Sequence, residues 1–232
     1  MPSPGTRVSG VSSMATRELL AELAEAYRRD TASEVAIESI GGVEAARRIR
    51  AGEPFDFAVL ADEAMASLES EGKVRGGTRI AVASSGVAVA VRAGSVAPGI
   101  ASEAAVRDAV LNASSIGYST GPSGVHIARL FERWGIAEAI GPRLVQAPPG
   151  VAVGGLVASG KVSLGFQQLS ELVHLAGIHV VGTLPPEIQV TTIFSGGICA
   201  TSAQRDVASA WLAFIASPGC ADVKRRHGME AP

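Results

Sequence analysis

Strand-like apolar runs alternate with helix-like patterns in the amino-terminal third of the sequence. Residues 35–40 and 55–60 are short, largely apolar runs, and each is followed by apolar residues at three- and four-residue spacing. This alternation predicts parallel strands joined by helices that cover the sheet. We therefore predict an α/β fold. The first strand, residues 6–11, has the weakest pattern because glycine interrupts it.

The composition argues against several classes of function. Hydrophobic residues make up 47% of the 232 residues, charged residues make up 18%, and there are 27 glycines, which is typical of an ordered α/β protein. A net charge of −2 and 4% aromatic residues provide neither the basic surface nor the stacking side chains of a nucleic-acid-binding protein. Cys199 and Cys220 lack metal-ligand spacing. We expect no nucleic-acid partner, no metal and no cofactor.

The sequence contains no apolar stretch long enough to span a bilayer, and residues 1–13 lack the apolar region of an export signal. We expect no direct membrane insertion. As written, the chain predicts a cytoplasmic protein. It predicts a periplasmic one if the amino terminus has been trimmed.

Two β-rich segments, residues 84–91 and 190–195, flank one α/β portion of the chain and separate it from a discontinuous second portion. This arrangement predicts two lobes with a cleft. The first lobe comprises residues 1–83 plus 195–232, and the second comprises residues 84–194. Ligands of open α/β sheets collect at the carboxyl ends of strands, and here these ends are rich in serine, threonine and glycine.

The clearest motif is a strand, a tight turn and a helix start across residues 118–126. Gly121-Pro122 ends the strand, and Ser119, Thr120 and Ser123 come at or near the N-cap of the helix. Unpaired N–H groups and the positive end of the helix dipole suit such a turn to an anion. The alternative interpretation is that a hydroxyl only caps the helix.

Turns of the same kind recur along the chain. Ser12 or Ser13 is the predicted N-cap of a helix that ends near Asp30, Gly41-Gly42 joins a strand to a helix, and Gly150 closes a Pro-Pro-Gly turn before another helix. The repetition favours anion binding over simple capping.

These features together resemble the type II periplasmic-binding-protein fold, and within it the molybdate-binding-protein-like group of solute-binding proteins. The residues that carry the resemblance extend along nearly the whole chain: Ser12-Ser13-Met14, residues 50–56 with Ala61-Asp62, Gly121-Pro122-Ser123-Gly124, Leu164-Gly165-Phe166 and Ser217-Pro218-Gly219. The resemblance implies two mixed, mostly parallel sheets flanked by helices, with a ligand cleft between the lobes. It also implies that serine hydroxyls and helix amides hold an oxyanion without charged side chains. By position, Ser13 and Ser123 match two such contacts.

Three positions depart from the molybdate-binding pattern. Gly41-Gly42 replaces a serine-rich turn, Gln168 stands where the group carries tyrosine, and Gly150 replaces a larger apolar residue. An amide offers two donors and an acceptor, which suit a carboxylate better than a compact oxyanion. We therefore predict a small organic carboxylate as ligand, with molybdate or tungstate as the alternative. The predicted ligand-binding residues are Ser12, Ser13, Gly41, Gly42, Thr120, Ser123, Gly150 and Gln168.

The resemblance leaves three functions open. The first is a substrate-binding protein that delivers a small anion to an ABC-transporter permease. The forms Gly121-Pro122-Ser123-Gly124 and Phe166-Gln167-Gln168 are also similar to a branch of the group that includes aconitate isomerase, so the second is a cofactor-independent isomerase of an unsaturated carboxylic acid. The third is a cytosolic ligand-sensing domain that acts through a partner.

An isomerase requires a base within reach of the substrate carbon. The candidates near predicted turns are His126, Glu38, Glu44 and Glu171, and His126 is the candidate catalytic residue. A surface or capping role is the more common one for a histidine in the first turn of a helix. Arg47 or Arg48 could bind a second carboxylate bidentately, and a solvated helix face is the alternative for both.

Overall fold

The structure is a computed structural model that describes residues 7–148 and 150–232. The predicted first strand begins at Thr6, which lies outside the described residues. The strands are β1 (Arg7–Ser13), β2 (Glu34–Ile40), β3 (Phe57–Ala61), β4 (Ile80–Arg92), β5 (Ile116–Tyr118), β6 (Leu144–Gln146), β7 (Leu164–Gln168), β8 (Ile178–Thr183) and β9 (Thr191–Ile198).

The α-helices are α1 (Arg17–Thr31), α2 (Gly42–Arg50), α3 (Asp62–Ser70), α4 (Glu103–Asn112), α5 (Pro122–Arg133), α6 (Ala137–Ile140), α7 (Val153–Ala158), α8 (Leu169–Leu172), α9 (Arg205–Ala216) and α10 (Ala221–Arg226). Short 3₁₀ turns cover Met14–Thr16, Gly141–Arg143 and Pro218–Cys220. No helix of the described residues combines the length and the apolar character needed to cross a bilayer.

The chain divides into two compact units. Unit 1 contains the chain up to Ser84 and from Ile193 onward, and unit 2 contains Ser85–Thr192. Both unit boundaries fall inside strands, β4 and β9. That the units act as the two lobes of a ligand cleft stays a prediction.

The sheet of unit 1 has the strand order β2-β1-β3-β9. Strand β1 is parallel to both β2 and β3, whereas β9 is antiparallel to β3. Helices α1 and α9 pack on a core centred on Trp211, which is fully buried with its ring 5.4 Å from that of Tyr27. A second core beneath α2 and α3 includes Ile49 and Met65. The carboxyl-terminal residues join this unit, because Glu230 and Ser84 exchange backbone hydrogen bonds of 2.8 and 2.9 Å.

The glycine that weakens the pattern of β1 is required by packing. Gly10 pairs with Phe57 across β1 and β3, and a Cβ atom on Gly10 would lie 2.3 Å from the Phe57 ring. The same reason explains a difference from the sequence interpretation, which predicts that Gly196-Gly197 breaks the last strand. Strand β9 continues through both glycines, because a Cβ on Gly196 would lie 2.5 Å from the Leu212 side chain and one on Gly197 would lie 2.7 Å from that of Val74.

Unit 2 has the strand order β4-β7-β5-β6, and β8 also pairs with β4. Strands β5, β6 and β7 are parallel to one another, whereas β7 and β8 run antiparallel to β4. Helices α4 and α5 bury Val106, Ile127 and Phe131 against the sheet. Helix α7 packs on the opposite face, where it closes over Gly117 and Gly165: a Cβ on Gly165 would lie 2.6 Å from the Val157 side chain.

Lys224 is an exception in the core of unit 1, because only 1% of its surface is exposed. No hydrogen bond or ion pair joins its ammonium group to another of the described residues, and burial lowers the pKa of Lys224. An unpaired charge in the interior costs free energy that its neutral form or an apolar side chain avoids.

We predict that Lys224→Met stabilises the protein, because methionine fills a similar volume without a charge. The free energy of unfolding should rise by about 1 kcal/mol, which for a chain of this size corresponds to a Tm increase of about 2–4 °C. Thermal unfolding at pH 7 measures the change. Lys161→Met, at an exposed lysine, is the control and should leave the Tm nearly constant. A lower Tm for Lys224→Met would show that the ammonium group is stabilised in the folded protein.

Candidate anion-binding sites

The first candidate site lies at the carboxyl end of β1 in unit 1. The parallel register pairs Ser12 with Ser39 and Ser13 with Ile40. Ser12 is fully buried, and its Oγ lies 2.8 Å from the Oγ of Ser39. Ser13 is 8% exposed, and its Oγ has no hydrogen-bond partner among the described residues. Because buried hydroxyls are normally paired, the Ser13 hydroxyl is available to a ligand.

The prediction that Ser12 or Ser13 is the N-cap of the first helix is wrong. Helix α1 begins at Arg17, and neither serine caps it. Ser13 instead precedes the 3₁₀ turn Met14–Thr16, without a capping bond from its side chain. The 3₁₀ turn separates the strand end from the helix, so both serines stay on the strand.

The amino terminus of α2 lies directly beside Ser13. Gly41 is its N-cap residue, and a Cβ atom on Gly42 would lie 3.9 Å from the Cβ of Ser13. The first N–H groups of an α-helix have no partner within the helix, and the helix dipole makes this end positive. Helix α2 has nine residues. The Ser13 hydroxyl and the N–H groups at Gly42 therefore form an uncharged set of donors suited to an anion.

The charged side chains of α2 and β2 pair with one another beside this turn. Arg47 donates to both carboxylate oxygens of Glu44, at 2.7 and 2.6 Å. Arg48 pairs with Glu38 and Glu53 and lies over the Phe55 ring, 5.2 Å from its centre. The hydrogen bonds from Arg47 lower the pKa of Glu44, which makes this carboxylate a weaker base. As candidate bases, Glu38 and Glu44 are thus both engaged in ion pairs.

The second candidate site is the turn between β5 and α5 in unit 2. Gly121 is the N-cap residue of the 12-residue helix α5, with Pro122 in its first turn, and no side chain caps the helix. Ser123 is 1% exposed, and its Oγ lies 3.1 Å from the Oγ of Ser119. The Oγ of Ser119 also accepts a hydrogen bond from the Gly121 N–H, at 3.3 Å. Thr120 is exposed.

Ser119 organises this turn although it is not among the predicted ligand-binding residues. A serine whose hydroxyl accepts from the N–H two residues later is a common turn motif. The spacing of Ser119, Gly121 and Ser123 was therefore a usable signal in the sequence.

Gln168 is 2% exposed and bonded within unit 2. With the amide oriented so that its oxygen accepts from Thr192 Oγ1 at 2.7 Å, its nitrogen donates to the carbonyls of Ser85 at 2.8 Å and Gly86 at 3.3 Å. The orientation follows from this network of bonds. Both N–H donors are then occupied, so binding a ligand would require Gln168 to break a bond to the backbone. Its role as a ligand donor stays a prediction, and these bonds favour a structural role.

The other residues predicted in unit 2 have different surroundings. Gly150 is exposed with a φ of +80°, and it precedes α7, which has only six residues. His126 is partly buried with its Nε2 2.8 Å from the carbonyl oxygen of Ile188. In this contact Nε2 carries the hydrogen, so it is not the basic nitrogen. The carboxylate of Glu171 accepts from the Gln167 amide at 2.8 Å.

The structure places the predicted residues in two separate groups. Ser12, Ser13, Gly41 and Gly42 come together in unit 1, and Thr120 and Ser123 come together in unit 2. That both groups contact one ligand stays a prediction. Over residues 7–148 and 150–232, no group of three or more His, Cys, Asp or Glu side chains is arranged to hold a metal ion.

The turn between β5 and α5 depends on Gly124. A Cβ atom on Gly124 would lie 1.7 Å from the carbonyl oxygen of Ser119 and 2.5 Å from its carbon. We predict that Gly124→Ala opens the turn and lowers the free energy of unfolding by roughly 2 kcal/mol or more, as urea unfolding would measure. Gly121→Ala is the matched control, because its φ is −82° and its new Cβ would meet only the Ser119 Oγ, at 3.7 Å. Equal stabilities of the two variants would contradict the prediction.

Comparison with known proteins gives the family. Residues 8–230 match the model of a family described as bacterial extracellular solute-binding protein. A Pseudomonas sp protein named aconitate isomerase is 32% identical over 235 residues, covering 98% of this chain and 88% of the relative.

Solved structures give the fold. The periplasmic molybdate-binding protein of Azotobacter vinelandii has a TM-score of 0.81 at 21% identity, covering 97% of this chain and 99% of that protein. The tungstate-binding protein of Desulfovibrio alaskensis has a TM-score of 0.67 at 14% identity, covering 94% of this chain and 93% of that protein. At these identities the likeness shows the fold alone, and it confirms the predicted α/β fold of the type II periplasmic-binding-protein class. Because the family model matches residues 8–230, the chain belongs to the bacterial extracellular solute-binding proteins.

Proposed function

We propose that the chain is a solute-binding protein for a small organic carboxylate, held in unit 1 by the Ser13 hydroxyl and the N–H groups at Gly42. The observation that carries the proposal is the Ser13 hydroxyl, which is buried, lacks a hydrogen-bond partner in the part of the chain that the structure describes, and is adjacent to a helix amino terminus. A carboxylate oxygen accepts from both kinds of donor. The resulting charge-assisted hydrogen bonds are stronger than those between neutral groups.

Two observations support a carboxylate over molybdate or tungstate. The Gly41-Gly42 turn supplies N–H groups but no hydroxyl, so it offers fewer donors to a compact tetrahedral oxyanion. The relative with 32% identity is named for an organic acid, whereas the molybdate- and tungstate-binding proteins are 21% and 14% identical. Molybdate and tungstate are the alternative ligands.

As a partner we propose the permease of an ABC transporter, which would take the carboxylate from this protein. Family membership supports this partner and an extracytoplasmic place of action, since the family is one of extracellular solute-binding proteins.

A second candidate function is isomerisation of an unsaturated carboxylic acid, favoured by the similarity to aconitate isomerase. Proton abstraction beside a carboxylate would need a base with a free lone pair. Of the four candidate bases, Glu38, Glu44 and Glu171 accept hydrogen bonds from other side chains. The Nδ1 of His126, in the first half of α5, accepts no hydrogen bond from another of the described residues. It is the base we propose for this alternative.

We predict that Ser13→Ala weakens carboxylate binding without destabilising the protein. Loss of one hydrogen bond to a charged group should raise the Kd about tenfold or more, measured by calorimetric titration with cis- and trans-aconitate, citrate, molybdate and tungstate. The Tm without ligand should stay constant or rise, because the substitution removes a buried hydroxyl that has no partner.

Ser33→Ala is the matched control for this experiment. Ser33 is also fully buried, and its Oγ likewise has no hydrogen-bond partner within the described ranges, but it precedes β2 at the amino end of the strand. The Ser33→Ala variant should bind carboxylates with the same affinity as the wild type. If the wild type binds molybdate and none of the carboxylates, the ligand is an inorganic oxyanion and the carboxylate proposal is wrong. Equal affinities of Ser13→Ala and the wild type would show that Ser13 does not contact the ligand.

The isomerase alternative predicts interconversion of cis- and trans-aconitate by the purified protein. Proton NMR in D₂O would show the change of isomer and any exchange of the abstracted proton. The His126→Gln variant should lose at least about a hundredfold of the rate, in the range that one general base contributes. Binding of aconitate without any conversion would leave the solute-binding function and exclude isomerisation of this substrate.

A further inference from the structure

We infer that Arg47 selects ligands with more than one carboxylate, by binding the second carboxylate beside the Ser13 and Gly42 site. The inference rests on the proposed function of that site. It names the substrate class as di- and tricarboxylates and adds Arg47 as a specificity-determining residue.

The amino-terminal turn of α2 presents an exposed face next to the anion donors. Val43 is 76% exposed, and the side chain of Arg47 is 67% exposed. The two residues are four positions apart, so they lie on one helix face about 6 Å apart. The opposite face, with Ala45, Ala46 and Ile49, is buried. The exposed face of α2 therefore carries the apolar side chain of Val43 and, one turn later, the cation of Arg47.

The guanidinium of Arg47 points toward the amino terminus of α2. Side chains of a helix lean toward its amino terminus, and the bonds from Arg47 to Glu44, at 2.6 and 2.7 Å, fix this direction. Glu44 is three residues from the N-cap Gly41, which is about 4.5 Å along the helix axis. A ligand with its first carboxylate at Gly42 would pass its carbon chain over Val43. Its second carboxylate would then meet Arg47.

Arg47 differs from its neighbour Arg48 in being available. Arg48 is held by two carboxylates and a ring, and its side chain is 20% exposed. Among the described residues, Arg47 forms a hydrogen-bonded ion pair with Glu44 alone, and the two side chains are 67% and 44% exposed. Exposed ion pairs contribute little to stability, so a ligand carboxylate can replace Glu44 as a bidentate partner of the guanidinium.

Val43 would contact the hydrocarbon part of such a ligand, between its two carboxylates. An apolar side chain in the first turn of a helix gains nothing from the dipole, which favours acidic residues there. The exposed isopropyl group gives the hydrocarbon part of a polycarboxylate a surface to cover. A tetrahedral metal oxyanion has no such part.

The test compares trans-aconitate, a tricarboxylate, with crotonate, an unsaturated monocarboxylate, by calorimetric titration at low ionic strength. Arg47→Gln should weaken trans-aconitate binding about tenfold, since it removes a charge-assisted bidentate contact, and should change crotonate binding less than twofold. Glu44→Gln should strengthen trans-aconitate binding, because it frees Arg47 and removes a negative charge.

Arg28→Gln is the matched control. Arg28 also pairs with a glutamate three residues away, Glu25, and both side chains are 60% exposed, but it lies near the end of α1. The Arg28→Gln variant should bind both acids with the same affinity as the wild type. Unchanged affinity of Arg47→Gln for trans-aconitate, or an equal loss for both acids, would overturn the role of Arg47 while Ser13→Ala still tests the proposed function. A wild type that binds neither acid would overturn both.

Discussion

The parallel pairing of β1 with β2 positions every group of the candidate site in unit 1. The register brings Ser13 beside the last residue of β2, and α2 begins two residues later. A slip of one residue would turn the Ser13 side chain to the other face of the sheet. On its other side β1 pairs with β3, and Gly10 is required there, because only a residue without Cβ lets the Phe57 ring of β3 pack on β1. The donors at the edge therefore depend on packing inside the core.

Hydrogen bonding separates the polar residues at the strand ends into two kinds. Ser119, Ser123 and Gln168 are bonded to other protein groups, so they hold the shape of unit 2. The Ser13 hydroxyl has no hydrogen-bond partner among residues 7–148 and 150–232. Both kinds look alike in a sequence, since each is an uncharged polar side chain near the place where a strand leads into a helix. The difference is energetic, because an unpaired buried hydroxyl costs free energy that a ligand can recover.

The sequence was sufficient for the α/β class, for most strands and helices, and for the position of the turns that join them, because these depend on local periodicity and on glycine, proline and serine placement. The sequence was insufficient where the conformation or the bonding of a residue depends on residues that are distant in the chain. The partners of Gln168 lie in β4 and β9, and the glycines of β9 stay in the strand because Leu212 and Val74 fill the space above them. The four-residue helices α6 and α8 are too short to show a period. The ion pairs of Arg47 and Arg48 differ although the residues are adjacent, because Glu38 and Glu53 reach only one of them.

The discontinuity of unit 1 has a consequence for biosynthesis. Its strand β3 is completed by β9, and Ser84 is paired with Glu230, near the end of the chain. Unit 2 is one continuous segment, Ser85–Thr192. A ribosome therefore delivers all of unit 2 before the residues that close unit 1 exist. During synthesis, the edge of β3 that will pair with β9 therefore stays unpaired until β9 has been made. Such an edge is prone to pair with another chain. The nascent chain is thus most exposed to misassembly in its amino-terminal portion, which is also the portion that carries Ser13 and Gly42.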